Sequence, residues 1–191
     1  MSEGVRIKLA AAQKIAERIR DELAGYCDRI DIAGSVRRQR PECGDIDLVL
    51  LPKEGQRRDI EKRMGHNPNT RVLRSGPEIM ALILANGVQV DLYFARPAVN
   101  DLAGYIPGNY GMRLLAMTGS REHNVMLARL AKQRGYHFAP YRGLLRGGFY
   151  QAKGEGEEYV GGEVFAAEEE LNIFRELGQG WIAPEAREVQ A

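Results

Sequence analysis

The sequence predicts an α+β fold, a mixed β-sheet unit followed by a smaller unit of helices and hairpins. Short apolar runs bounded by turn residues crowd the stretch from Arg29 to Phe94, as a sheet requires. An amphipathic helix precedes them, with Ile15, Ile19 and Leu23 at helical spacing. Beyond Arg96-Pro97 the pattern changes to helical periodicity and glycine-rich strands, so we place units at 1–97 and 98–191.

The elements follow in order. The first helix spans Leu9 to Leu23, and a strand from Arg29 to Ala33 breaks at Gly34-Ser35. After the loop RRQRPECG, the run DIDLVLL reads as a strand ended by Pro52. A charged helix is expected over Gln56 to Met64, then strands at Arg71–Ser75, Glu78–Leu84 and Val88–Phe94. Asn86-Gly87 joins the last two as a hairpin turn. In the second unit, helices are expected at Gly111–Met117 and Ser120–Arg134, with Ser120 as N-cap and Gly135 as C-cap. Strands at Tyr136–Phe138 and Leu144–Tyr150 and a helix over Ala166–Leu177 complete the reading.

Composition excludes several classes. No apolar run approaches the roughly 20 residues of a membrane span, and the charged N-terminus is unlike a signal peptide, so a cytoplasmic location is expected. Cys27 and Cys43 are too few for a disulfide framework or a cysteine-rich zinc site. His123 has no second His or Cys at ligand spacing and reads as packing or surface. The net charge of +1 argues against tight, nonspecific nucleic-acid binding, yet the cations are mostly arginine, which suits bidentate phosphate contacts.

Chemistry concentrates in two strands and a turn. Asp45 and Asp47 are two residues apart in a strand, so their carboxylates leave one face while Ile46 and Leu48 leave the other. VQVDLY repeats the pattern with Asp91. If the strands pair with their apolar faces alike, three carboxylates converge. Like charges 4 Å apart repel by roughly 4 kcal/mol at an effective dielectric near 20, so such a trio calls for a cation. All-oxygen ligation with open positions suits Mg2+ or Mn2+. Upstream, AGSVRR ends a strand at Gly34-Ser35 and presents amide groups and a hydroxyl suited to an anion. Arg37 or Arg38 can reach the same phosphate, and Gly44 lets a ligand approach the backbone. Anion and cation binding together are what a metal-chelated triphosphate requires.

A glycine-serine turn, an Asp-x-Asp strand and a third Asp on a later strand resemble the polymerase-beta-type nucleotidyltransferase superfamily. The stretches TGSREHNVMLARLAKQRGYHF, YRGL and EEELNIFRELGQGWIAPEARE are similar to the thumb of family X DNA polymerases, most closely the bacterial type. The resemblance runs from about Arg6 to Glu188. It implies a nucleotidyltransferase palm, a mixed sheet with helices on one face, plus a small α/β thumb. It implies a DNA-directed DNA polymerase that adds dNMP to a primer 3′-hydroxyl with two Mg2+ or Mn2+ ions, in DNA repair or gap filling. Asp45 and Asp47 would bind both metals, and Asp91 would ligate the catalytic metal and take part in deprotonating the 3′-hydroxyl. Ser35, Arg38 and Gly44, in the turn opened by Gly34, would hold the β- and γ-phosphates. Arg6, on the preceding helix, resembles a further phosphate contact. Gly119 would lie against the sugar, and Asn124 would reach the minor-groove edge of the incoming base. The partners implied are a dNTP and primer-template or gapped DNA, met by a monomer.

The sequence departs from the family in three respects. Ala116-Met117 stands where the family often has an aromatic pair that screens the sugar 2′ position, so weakened discrimination against ribonucleotides is expected. Gln89 replaces a basic residue two before the third Asp. No counterpart of the lyase, helix-hairpin-helix or phosphoesterase domains is read here, so the expectation is a minimal palm-plus-thumb form. Two alternatives stay open: a nucleotidyltransferase acting on another acceptor (an RNA end, a small molecule, a protein, or a DNA end without template), and a catalytically silent scaffold.

Overall fold

The computed structural model describes residues 5–102, 104–154 and 156–188. The ends of the two expected units, residues 1–4 and 189–191, therefore lie outside the described residues. In chain order the elements are β1 (Ile7–Lys8), α1 (Leu9–Leu23), β2 (Cys27–Ile32), α2 (Gly34–Arg37), β3 (Glu42–Cys43), β4 (Asp45–Pro52), α3 (Arg57–Gly65), β5 (Thr70–Ser75), β6 (Ile79–Leu84) and β7 (Gln89–Phe94). There follow β8 (Val99–Asp101), β9 (Gly104–Ile106), α4 (Tyr110–Thr118), α5 (Arg121–Gln133), β10 (His137–Ala139), β11 (Gly143–Lys153), β12 (Gly156–Ala166) and α6 (Glu170–Glu176).

The main sheet has the order β2-β4-β7-β6-β5. It is mixed, because β4 and β7 run parallel while the other neighbours are antiparallel. One face is apolar: Ile46, Leu48 and Leu50 of β4 and Val90, Leu92 and Phe94 of β7 pack under Ala12, Ala16, Ile19 and Leu23 of α1 and Ile60 and Met64 of α3. Those α1 residues recur every three or four positions, the spacing that lines one side of a helix. Both helices therefore cover the same face, and Asp45, Asp47 and Asp91 are left on the other. That second face is partly roofed by α4, whose Tyr110 and Leu114 pack with Ala33, Val49 and Ala95.

A second core joins α4, α5, α6 and the three-stranded sheet β10-β11-β12 through Met112, Leu115, Leu127, Phe138, Leu144, Phe174 and Leu177. Ser120 caps α5, its hydroxyl accepting the His123 amide at 3.3 Å. His123 is buried against Phe174, and burial lowers its pKa to about 4. It is packing, as expected.

The structure corrects the sequence reading at several elements. The last helix starts at Glu170 rather than Ala166. Ala166 still pairs with Leu144, and the carbonyls of Ala167 and Glu168 accept the Met112 and Gly111 amides at 2.7 and 2.9 Å, so that backbone is committed to α4. Strand β12 was not expected in GEEYVGGEVFA; it is held across the ladder by the Tyr150–Tyr159 pair, with His137 stacked on Tyr159 at 4.7 Å. The β8–β9 hairpin also was not expected; Tyr105 fastens it to Glu168 at 2.7 Å. Among the described residues no helix is long and apolar enough to cross a membrane.

Candidate active site

Strand pairing assembles the carboxylates. In the parallel β4–β7 register Asp47 lies opposite Asp91, and Asp45 opposite Gln89. One ligand oxygen from each of Asp45, Asp47 and Asp91 lies within 4.8 Å of the others. Asp45 is half-buried, while Asp47 and Asp91 are buried. Both oxygens of Asp91 are engaged from its own strand: Gln89 Nε2 donates to Oδ1 at 2.9 Å and the Tyr93 hydroxyl to Oδ2 at 3.3 Å. Gln89 thus donates where a basic residue is often found. Tyr93 was not singled out from sequence, although its position two after Asp91 puts it on the same face.

The turn closes against this trio. Gly34 opens α2 at φ +57°, and a Cβ on it would fall 1.8 Å from Asp47 Oδ2, so glycine is required for the carboxylate to sit there. Ser35 Oγ is buried without a hydrogen-bond partner, a spare polar group in the turn beside the trio. A Cβ at Gly44 would meet no protein atom within 4 Å, leaving open space directly before Asp45.

The two arginines of the turn separate in role. Arg37 is committed to Glu170, through Nη1 at 2.8 Å and Nη2 at 2.7 Å, and to Thr118 Oγ1 at 2.7 Å. Arg38 borders the cleft instead, donating from Nε to Glu188 at 2.6 Å and from Nη1 to the Thr118 carbonyl.

Opposite the sheet, α4 and α5 form the far wall of a cleft of about 530 Å³ that is lined in part by Ser35, Arg38, Asp45, Asp47, Ala116, Met117, Gly119 and Asn124. Gly119 presses on Arg38; a Cβ there would lie 3.2 Å from Nη1. Asn124 Nδ2 donates to the Ala116 carbonyl at 2.7 Å, while its Oδ1 is buried and unpartnered. Asn124 is thus tied to the wall through one end of its amide, with the other end left over. Arg6 requires a correction: it is exposed and not helical, because it precedes β1, where Ile7 and Lys8 pair with Cys43 and Glu42 before α1 begins. The register carries Arg6 toward Gly44, but it is not among the residues lining the cleft.

Electrostatics sharpen the case for a cation. Burial raises the pKa of Asp47 well above the ordinary carboxylate range, and the charges of Asp45 and Asp91 raise it further. Burial and then Asp91 raise Asp45, against a smaller opposing pull from Arg38. Raised carboxylate pKa values mean that stability without metal is greatest in acid and is lost as pH climbs from the ordinary carboxylate range through the raised values. The oxygen-only donor set and the unpartnered Ser35 hydroxyl fit Mg2+ or Mn2+ carrying phosphate. We therefore expect either ion to raise the melting temperature, by on the order of 5 °C, and by more at pH 7 than at pH 5. Asp47→Asn should raise the metal-free melting temperature and abolish most of that gain. A wild-type melting temperature indifferent to both ions in scanning calorimetry contradicts the assignment.

Comparison with known proteins adds an independent line. Residues 113–188 match the family model described as DNA polymerase beta thumb. The chain is 25% identical over 187 residues to the DNA polymerase/3′-5′ exonuclease PolX of Bacillus subtilis (strain 168), covering 96% of this chain. It spans 29% of the length of that relative. Among solved structures, Leishmania infantum polymerase beta in a ternary gap complex matches with a TM-score of 0.73 and 20% identity, over 97% of this chain and 71% of the other. The same polymerase in a ternary P/T complex gives 0.70 and 21%, over 98% and 78%. At these identities the structural matches show a shared fold.

Proposed function

We propose that this chain, a relative of the family X DNA polymerases, is a nucleotidyltransferase palm (1–97) and thumb (98–191) that adds dNMP to a DNA primer 3′-hydroxyl. The single observation that carries the reading is the convergence of Asp45, Asp47 and Asp91 within 4.8 Å, beside a turn with a spare buried serine hydroxyl. In the reaction, the 3′-oxygen bonds to the α-phosphorus of the nucleoside triphosphate, and the bond from that phosphorus to pyrophosphate breaks. Asp45, Asp47 and Asp91 would hold two Mg2+ or Mn2+ ions, which supply neutralisation of the charge that develops on the phosphate oxygens. Asp91 takes part in accepting the hydroxyl proton, its carboxylate fixed by Gln89 and Tyr93. Ser35 and Arg38, with the amides of the Gly34 turn, bind the β- and γ-phosphates. Gly119 faces the sugar, and the spare oxygen of Asn124 faces the base. Gap filling in DNA repair is the role that this chemistry suits.

The test is incubation of the protein with Mg2+ or Mn2+, labelled nucleotides, and primer-template, gapped or single-stranded DNA. Templated extension supports the proposal. Untemplated tailing, or turnover with no DNA product, shifts it to a terminal transferase or a transferase using another acceptor. No nucleotide turnover leaves a scaffold. The same assay reads sugar choice. Neither Ala116 nor Met117 places a rigid ring in the cleft, so dNTP over rNTP selectivity should be weak and should rise about tenfold or more in Ala116→Tyr/Met117→Phe. Strong selectivity in the wild type contradicts the assignment of the sugar wall to these two residues.

A further inference from the structure

We infer that Glu188 is a positioning residue for triphosphate binding, acting through Arg38; the inference rests on the reading of Arg38 as a phosphate ligand. A guanidinium carries five N–H donors in a planar fork. Arg38 gives one, on Nε, to Glu188 Oε1 at 2.6 Å, and one, on Nη1, to the Thr118 carbonyl. Among the described residues no hydrogen bond takes the Nη2 group, and the side chain, 16% exposed, borders the same cleft as Ser35, Asp45 and Asp47. Arg38 is therefore held through Nε and Nη1 while its Nη2 group remains available to a ligand.

The grip is built from the far end of the sequence and is itself anchored. Arg187, next to Glu188, is fully buried; its carbonyl accepts the Ser120 hydroxyl at 2.8 Å, and its Nη1 donates to Glu170 at 2.9 Å. The second oxygen of Glu188 lies 3.7 Å from Arg40 Nη1, which holds the carboxylate from the other side. An unrestrained arginine loses rotamer freedom when a ligand fixes it, so prior fixing favours binding. The role of Glu188 is to keep the fork aimed at phosphate.

The experiment titrates the full chain with a non-hydrolysable dNTP analogue in Mg2+ by calorimetry, alongside steady-state kinetics. Glu188→Ala should weaken the analogue about tenfold, the loss falling on KM rather than on kcat. Glu188→Gln keeps an acceptor oxygen and should fall between wild type and Glu188→Ala. Adding Glu188→Ala to Arg38→Ala should cause no further loss, since the two act as one unit. Unchanged affinity in Glu188→Ala overturns the inference. Tighter binding overturns it too, by showing that Glu188 competes with phosphate for Arg38. If Arg38→Ala binds the analogue as well as wild type, the phosphate reading of Arg38 fails instead, whatever Glu188 does.

Discussion

Replacing Asp91 by Asn should lower single-turnover dNMP transfer by roughly 10³-fold or more while leaving the fold and dNTP binding nearly intact. The substitution keeps shape and polarity, so Gln89 and Tyr93 retain a hydrogen-bonding partner on β7. On the proposed reading the triphosphate contacts reside elsewhere, on the Gly34-Ser35 turn and Arg38. What the substitution removes, on that reading, is a charge and a proton acceptor at the point where the 3′-hydroxyl would be activated. Rapid-quench measurement at saturating dNTP separates the step from binding. A rate within tenfold of wild type would show that Asp91 is structural.

The largest effect on stability is expected at Glu170. Its carboxylate bridges Arg37 of α2 to the fully buried Arg187, tying the Gly34-Ser35 turn to the C-terminal segment. Burial alone would raise the Glu170 pKa, but hydrogen bonds and charge from Arg37 and Arg187 overcome it and hold the group below its ordinary range. Glu170→Ala leaves Arg187 buried without its counter-charge, a defect of about 3–5 kcal/mol. For a chain of this size that corresponds to a fall in melting temperature on the order of 10 °C. The sign with pH follows from the lowered pKa: the contribution is complete above the ordinary glutamate range and is lost as pH falls through the depressed value. Urea unfolding at pH 7 should therefore separate wild type from variant widely, and the gap should narrow in strong acid. A difference below about 1 kcal/mol at pH 7 would mean that the bridge contributes little.

Much of this was legible in the sequence because it depends on local periodicity. The α1 boundaries, the Asp45/Asp47 face, the Asn86-Gly87 hairpin and the Ser120 cap each follow from spacing or from the geometry of one turn. The convergence of Asp91 on Asp47 was legible only conditionally, since it needed β4 and β7 to pair in register. What stayed hidden depends on distant partners. GEEYVGGEVFA has no strand pattern of its own and becomes β12 because Tyr159 finds Tyr150 and His137. Nothing in the spacing of Arg37 and Arg38 tells which borders the cleft; Glu170 holds the first and Glu188 the second, each more than a hundred residues away. Arg6 was set on a helix by the resemblance alone, since helical spacing begins at Leu9 and the short β1–β3 pairing lies between the two.

The central claim is that Asp45, Asp47 and Asp91 hold the divalent cations of nucleotidyl transfer. The most direct measurement is a crystal structure of the protein with Mn2+ and a non-hydrolysable dNTP, read by anomalous scattering at the manganese edge. We expect anomalous peaks bounded by these three carboxylates, with the triphosphate running from there to Ser35 and Arg38. A bound triphosphate with no manganese signal among the three aspartates, or manganese held elsewhere, would contradict it.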